Sequence, residues 1–296
     1  MAGWTGNPKP PSWYGGLGKY LDVGATNVFY VDGIGPDTNS GLTPAEPKGS
    51  IKAALALCTA DNDDYIVVLD YWNHANDTWP ITVNVSKVHI IGCPGAGAMW
   101  PQVNPTGNVA GILVTASMVE IANLSVNGGA AAGCIETSGD PWGTEIHHCW
   151  FGEAGTGQDG IRIPNASDAV YLKIWANRFG AGLTRNGVNI AGNATRGRIG
   201  VPGLQSNFFH FCGAEAIIVN NQFAQGGIFD NRIAMISDTQ GYGVTLTATC
   251  VSGVMVDGNS AAYGDTVGNN PYLDSSAAGS NHWGMNFHAN TLTLPA

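Results

Sequence analysis

Two carboxylates held about 5–5.5 Å apart can hydrolyse a glycosidic bond with retention, one as acid and one as nucleophile. In this 296-residue sequence the candidates are Glu120 and Glu145. Each precedes an isoleucine, Ile121 and Ile146, so placing those isoleucines on neighbouring strands sets the two carboxyls at about that separation. Their repulsion would raise one pKa and divide the roles. The competing reading is two solvated glutamates on an exposed face, neutralised by Arg198, Lys173 and His147. A third carboxylate, Glu136, would stand about 4.8 Å from Arg162 on the next strand, which also describes a plain surface ion pair. His147-His148 has no third ligand at metal spacing, so no metal or other cofactor is expected. Trp142, Trp150, Tyr171 and Trp175 fall close together. Trp150, Trp175 and Tyr171 are candidates for stacking on sugars. Packing beneath a loop or across a subunit interface accounts for them equally well.

These side chains need a repeating scaffold to bring them together, and the sequence contains one. A short apolar strand recurs as Ile112-Leu-Val, Ile135-Glu-Thr, Ile161-Arg-Ile, Val188-Asn-Ile, Ile217-Ile-Val and Val244-Thr-Leu, with starts 23, 26, 27, 29 and 27 residues apart. Gly111, Gly160, Gly187, Ala216 or Gly243 precedes most of them. A second set follows, centred on Ile121, Ile146, Leu172, Ile199, Ile228 and Val254. A third comprises Asn123-Leu, Asn177-Arg-Phe179, Asn207-Phe-Phe209, Asn231-Arg-Ile233 and Asn259-Ser-Ala, with Cys149-Trp-Phe151 in the second rung. Three strands per turn of roughly 26 residues predict an all-β fold, a right-handed parallel β-helix of about eight to nine rungs. Alternation buries Ile161, Ile163, Val188, Ile190, Ile217 and Val219 and turns Arg162 and Asn189 outward. Asn tolerates left-handed turns and can stack its amide from rung to rung.

Composition excludes several classes. Charged residues are 11% and glycines number 42, against helix bundles and coiled coils. Twelve Lys+Arg and a net charge of -10 argue against general nucleic-acid binding. No apolar run is long enough to span a membrane. The start Met1-Ala-Gly-Trp reads as no signal peptide, and six dispersed cysteines read as buried hydrophobes rather than a disulfide framework. Synthesis in a cytoplasm is expected.

Upstream, Val28-Phe-Tyr-Val, Ile66-Val-Val-Leu, Ile81-Thr-Val and Val88-His-Ile-Ile91 read as strands. Ser50 opens a helix predicted to cap the solenoid. The segment Tyr30-Val-Asp-Gly-Ile-Gly-Pro-Asp37-Thr-Asn-Ser-Gly41-Leu-Thr-Pro, followed by Ser50-Ile-Lys-Ala-Ala54, resembles the entry segment of pectate-lyase-like parallel β-helix proteins. With the rungs, the likeness extends over residues 28 to about 262. The domain reading is 1–27 as an aromatic, Gly/Pro-rich anchoring arm carrying Trp4, Trp13 and Tyr14; 28–263 as the β-helix; and 264–296 as a C-terminal cap.

The resemblance implies the fold. It leaves function open, because such proteins include lyases, hydrolases, phage tailspikes and non-catalytic virion proteins. The lyase motif Arg-x-Pro-x-x-Arg is incomplete here: Arg162-Ile-Pro164-Asn-Ala-Ser167 ends in serine. Of the polygalacturonase signatures only an isolated Asp63-Asp64 occurs. The reading that joins these facts is a phage virion surface protein, as capsid decoration, fibre or tailspike-like protein. It would be a homotrimer, anchored to other virion proteins by its arm and able to bind host surface polysaccharide. The alternatives are a pectate-lyase-like polysaccharide lyase or glycoside hydrolase acting from Glu120, Glu145 and Glu136, and a bacterial surface adhesin.

Overall fold

The computed structural model describes residues 27–69, 77–93, 100–152, 157–202, 205–235, 241–250, 253–263, 271–276, 281–288 and 291–292. The chain is a right-handed parallel β-solenoid with three sheets running its length. In the order the chain visits them within a rung, sheet I has eight strands, from Ile81–Val83 to Tyr272–Asp274. Sheet II has ten, from Val28–Val31 to His282–Trp283. Sheet III has nine, eight parallel strands from Gln102–Val103 to Phe287–His288 and the antiparallel strand Thr291–Leu292 that closes it. The eight strands of sheet I are separated by seven full turns. The sheets run on past residue 263: Tyr272–Asp274, His282–Trp283 and Phe287–His288 form one more rung, registered on the one before it. Trp4, Trp13 and Tyr14 lie outside the described residues.

The register explains the repeat. Ile112, Ile135, Ile161, Val188, Ile217 and Val244 are successive partners on sheet I. All six are fully buried, as are Ile163, Ile190 and Val219. The middle residues Leu113, Glu136, Arg162, Asn189, Ile218 and Thr245 form the outward column. Asn189 departs from the expectation of an exposed middle residue. It is only 5% exposed, because it lies against Asp159 and donates to it from Nδ2 at 3.2 Å.

Inside, Phe151, Phe179 and Phe209 of sheet III stack with ring centroids 4.9 and 4.4 Å apart. That stack accounts for two of the glycines ahead of the sheet I strands. A Cβ on Gly160 would fall 2.6 Å from the Phe179 ring, and one on Gly187 would overlap the Phe209 ring. The predicted amide ladder is present. Asn177, Asn207, Asn231 and Asn259 each donate to the side-chain oxygen of the next, ending on Asn286, at 2.8–3.1 Å. Cys149 takes the place below, its backbone N–H donating to Asn177 Oδ1 at 2.9 Å. The position below that is Leu124, not Asn123. Asn123 instead supplies the left-handed turn residue with φ 56°, one step earlier. His148, Ala176 and Asp230 take the same conformation at the same corner.

The sheet II centres need correcting in two rungs. Ile146 pairs with Ile174, not Leu172, and Ile228 pairs with Val256, not Val254. Leu172 and Val254 are also buried but belong to the preceding turn, which is two residues longer before Ile174 and one residue longer before Val256 than before Ile146, Ile199 and Ile228. A helix occupies Ile51–Leu55, with Ser50 Oγ accepting from the Ala53 N–H. Its Ile51, Ala54 and Leu55 join the main core. A second apolar cluster lies on the outer face of sheet II, where Val28, Tyr30, Tyr65, Val67, Ile91, Cys93 and Ala122 are buried together.

Candidate functional site

Beside that outer cluster, one column of sheet II lines up six ionisable side chains. Tyr65, His89, Glu120, Glu145, Lys173 and Arg198 are successive partners on consecutive strands. His147 and Trp175 stand next to each other in the adjacent outward column. Rung stacking thus brings together Glu120 and Glu145, as the spacing predicted. It also adds His89, which the sequence reading missed. The available signal was that His89 precedes Ile90 as Glu120 precedes Ile121.

Glu120 is clamped between two imidazoles. Its Oε2 lies 2.5 Å from His89 Nδ1, and its Oε1 lies 2.8 Å from His147 Nε2. Burial pushes its carboxyl up, but the hydrogen bonds from His147 and His89 outweigh that and hold it at about 2. This overturns the expectation that repulsion from Glu145 would raise a pKa here. The two glutamates do not face each other's charge: Glu145 Oε1 accepts from Trp175 Nε1 at 2.6 Å, and its Oε2 lies 3.6 Å from Lys173 Nζ.

A carboxylate held that low only accepts hydrogen bonds, so the protons must sit on His89 Nδ1 and His147 Nε2. His147 Nδ1 lies 2.9 Å from His148 Nδ1. Burial, then the neighbouring His147, pushes the His148 pKa down. His89 Nε2 lies 3.7 Å from Asp63 Oδ1 at the rim. The ring of Tyr65 stacks on His89 with centroids 4.2 Å apart, and Trp175 stacks on His147 at 4.4 Å. Among the described residues no group of three or more His, Cys, Asp and Glu converges as for a metal ion.

The clamp makes a pH prediction. A carboxyl held at about 2, against 4.5 ordinarily, contributes about 3 kcal/mol to folding at neutral pH. That contribution is whole above about pH 4.5 and disappears as pH falls through about 2. Denaturant melts should show Glu120→Gln less stable by about 3 kcal/mol at pH 7, with the gap closing towards pH 2. A gap that does not change with pH would mean the loss is packing, not charge.

The other candidates lie on other faces. Glu136 Oε1 accepts from the Gly133 N–H at 2.8 Å and lies 3.5 Å from Arg162 Nη1 on sheet I. Trp150 stands half-buried on sheet III under the Arg178 guanidinium, which lies 4.5 Å from its ring centroid. Tyr171 is 44% exposed at the corner between sheets I and II, beneath the guanidinium of Arg196. The three glycan-binding candidates therefore do not form one platform. All six cysteines are free thiols, and burial pushes Cys149 and Cys212 up to about 12.

These features define the chain as a parallel β-solenoid with a carboxylate–imidazole cluster on one lateral face. The chain is similar in fold to a solved pectate lyase, Pel9A, with 14% sequence identity over 91% of this chain and 78% of that one and a TM-score of 0.47. No family profile and no curated protein matches it.

Proposed function

We propose that this solenoid is a bacteriophage virion surface protein, as capsid decoration, fibre or tailspike-like protein, that binds a host glycan without cleaving it. The observation that carries the absence of cleavage is the state of the three outward carboxylates. Hydrolysis needs a carboxyl that can deliver a proton near neutral pH. Lyase chemistry of the kind known for this fold needs carboxylates free for a cation. Glu120 is held at about 2 by two imidazoles, Glu145 is taken by Lys173 and Trp175, and Glu136 by a backbone N–H and Arg162. The uninterrupted ladders of the three sheets, which leave few backbone groups open to a protease, suit a particle exterior. Residues 1–27 would anchor the chain to other virion proteins. Parallel association into a homotrimer would cover half-exposed Leu113 and Ile218 on sheet I.

One observation favours the enzymatic alternative. His89 is oriented by Glu120 as a general base is oriented by its carboxylate partner, with Nε2 turned towards the rim. One set of measurements separates the readings. Light scattering should give three times the 30.8 kDa chain mass. Capsular polysaccharides should be retained by the protein without loss of chain length. An antiserum should label intact phage particles in electron micrographs. Shortened chains, with the activity lost in His89→Ala, would establish the enzyme instead. Particles that never label would remove the virion role.

A further inference from the structure

We propose that the outer face of sheet III, along Trp150, Arg178, Phe208 and Arg232, is a binding strip for a carboxylated oligosaccharide lying along the solenoid axis. The proposal rests on the glycan-binding reading above and assigns it a place and a chemical class.

The four residues are register partners on four consecutive rungs, so aromatic ring and guanidinium alternate about every 4.8 Å. Arg178 lies 4.5 Å from the Trp150 ring centroid and 6.0 Å from that of Phe208. Such contact fixes a guanidinium without neutralising it. Both arginines are exposed, and among the described residues no ion pair joins either to a carboxylate. In a chain of net charge -10 with only 12 Lys+Arg, two uncompensated cations in one column are a local attractor for anions.

The surroundings suit a sugar chain. A surface depression of about 410 Å³ is lined by Gln205, Ser206, Phe208 and Arg232. An amide, a hydroxyl, a ring and a guanidinium are the groups that hold hydroxyls, a CH face and a carboxylate. The adjacent outward column carries glycine at 152 and 180, and a Cβ on Gly180 would lie 3.4 Å from Trp150 Nε1. The floor is therefore low beside Trp150, and beside Phe208 the same column presents the His210 ring, with centroids 5.8 Å apart. The two guanidiniums are two rungs apart, about 9.6 Å, so an extended chain would meet them with alternate carboxylates and lay the sugar between on Phe208. Single-stranded nucleic acid could use the same stacking. The amide of Gln205 and the hydroxyl of Ser206 beside Phe208 and Arg232 suit a sugar's hydroxyls, which favours a uronate chain.

The test is calorimetric titration of the full chain with a mannuronate octasaccharide, a dextran octasaccharide and oligothymidylate. The uronate should bind, more weakly as salt rises. Arg178→Gln and Arg232→Gln should each weaken it at least about tenfold, with melting temperatures unchanged, while Arg198→Gln on sheet II should not. Equal binding of uronate and dextran, insensitive to either substitution, would overturn the strip and leave the glycan reading standing. Failure of every saccharide at millimolar concentration would overturn both. Tighter binding of oligothymidylate, lost in the same two variants, would reassign the strip to nucleic acid.

Discussion

Replacing Phe179 by alanine is expected to cost about 3–5 kcal/mol, the range for deleting a buried phenylalanine. The ring is fully buried, sandwiched between Phe151 and Phe209, and rests on the Cα of Gly160. Every neighbour is held by a continuous ladder, so the walls have little freedom to close on the gap. Part of the loss is stacking, worth about 0.5–1.5 kcal/mol beyond area burial. Phe179→Leu, which restores most of the volume but no ring, should recover well over half of the loss. The opening should also be local. Hydrogen exchange should accelerate in the rungs carrying Phe151, Phe179 and Phe209 and change little near Val88, because each rung touches only its neighbours. A loss under about 1 kcal/mol, or exchange that rises equally along the chain, would contradict this account of the core.

A loss of similar size, about 3–5 kcal/mol, is expected for Arg185→Met at pH 7. Asp159 is fully buried. Arg185 grips both of its oxygens, with Nε 2.9 Å from Oδ1 and Nη2 on Oδ2. Asn186 donates to it from its backbone N–H at 3.2 Å and from Nδ2 at 2.7 Å, and Asn189 adds a bond of 3.2 Å. Methionine keeps the length of the arginine stem but removes the only cation that pairs with the carboxylate among the described residues. The amides remain, yet they cannot offset a full buried charge. Arg185→Met with Asp159→Asn should therefore be substantially more stable than Arg185→Met alone. Urea midpoints with unchanged slopes would measure this. If the double variant is the less stable of the two, the burial penalty is not the cause.

How far the sequence could be read follows from where its signal is local. Sheet I was legible from Ile112 to Leu246, because its strands there are short and uniform and most follow a small residue, which the phenylalanine stack demands at Gly160 and Gly187; its last strand, Tyr272–Asp274, was not. The amide ladder was legible from Asn177 to Asn259, since few other residues suit both the corner and the stack. Asn286 was hidden because the strands around it, His282–Trp283 and Phe287–His288, are only two residues long and carry no apolar period. Sheet II was read two residues out at Leu172 and Val254, since the corner before it varies in length and a buried leucine in a corner looks like one in a strand. That slip concealed Trp175 as the neighbour of His147. His89 was visible as a strand residue preceding Ile90 as Glu120 precedes Ile121, but its partnership with Glu120 spans 31 residues and shows only once the two strands are set in register. Glu120 and Glu145 were correctly placed on adjacent rungs. Their chemistry was not, because pairing along the column, not distance between carboxyls, sets it.

The amide seam has one more consequence. Each asparagine donates upward to the next and receives from below, so every step of the seam looks the same to its neighbours. Such a seam is indifferent to how many steps it contains. A duplication or loss of one whole coil, cut at equivalent points of the corner, would shift everything beyond it along the axis and leave each contact reproduced. The length of this molecule is thus a quantity that genetic change can adjust in units of one coil, about 4.8 Å at a time, without a new core having to be found.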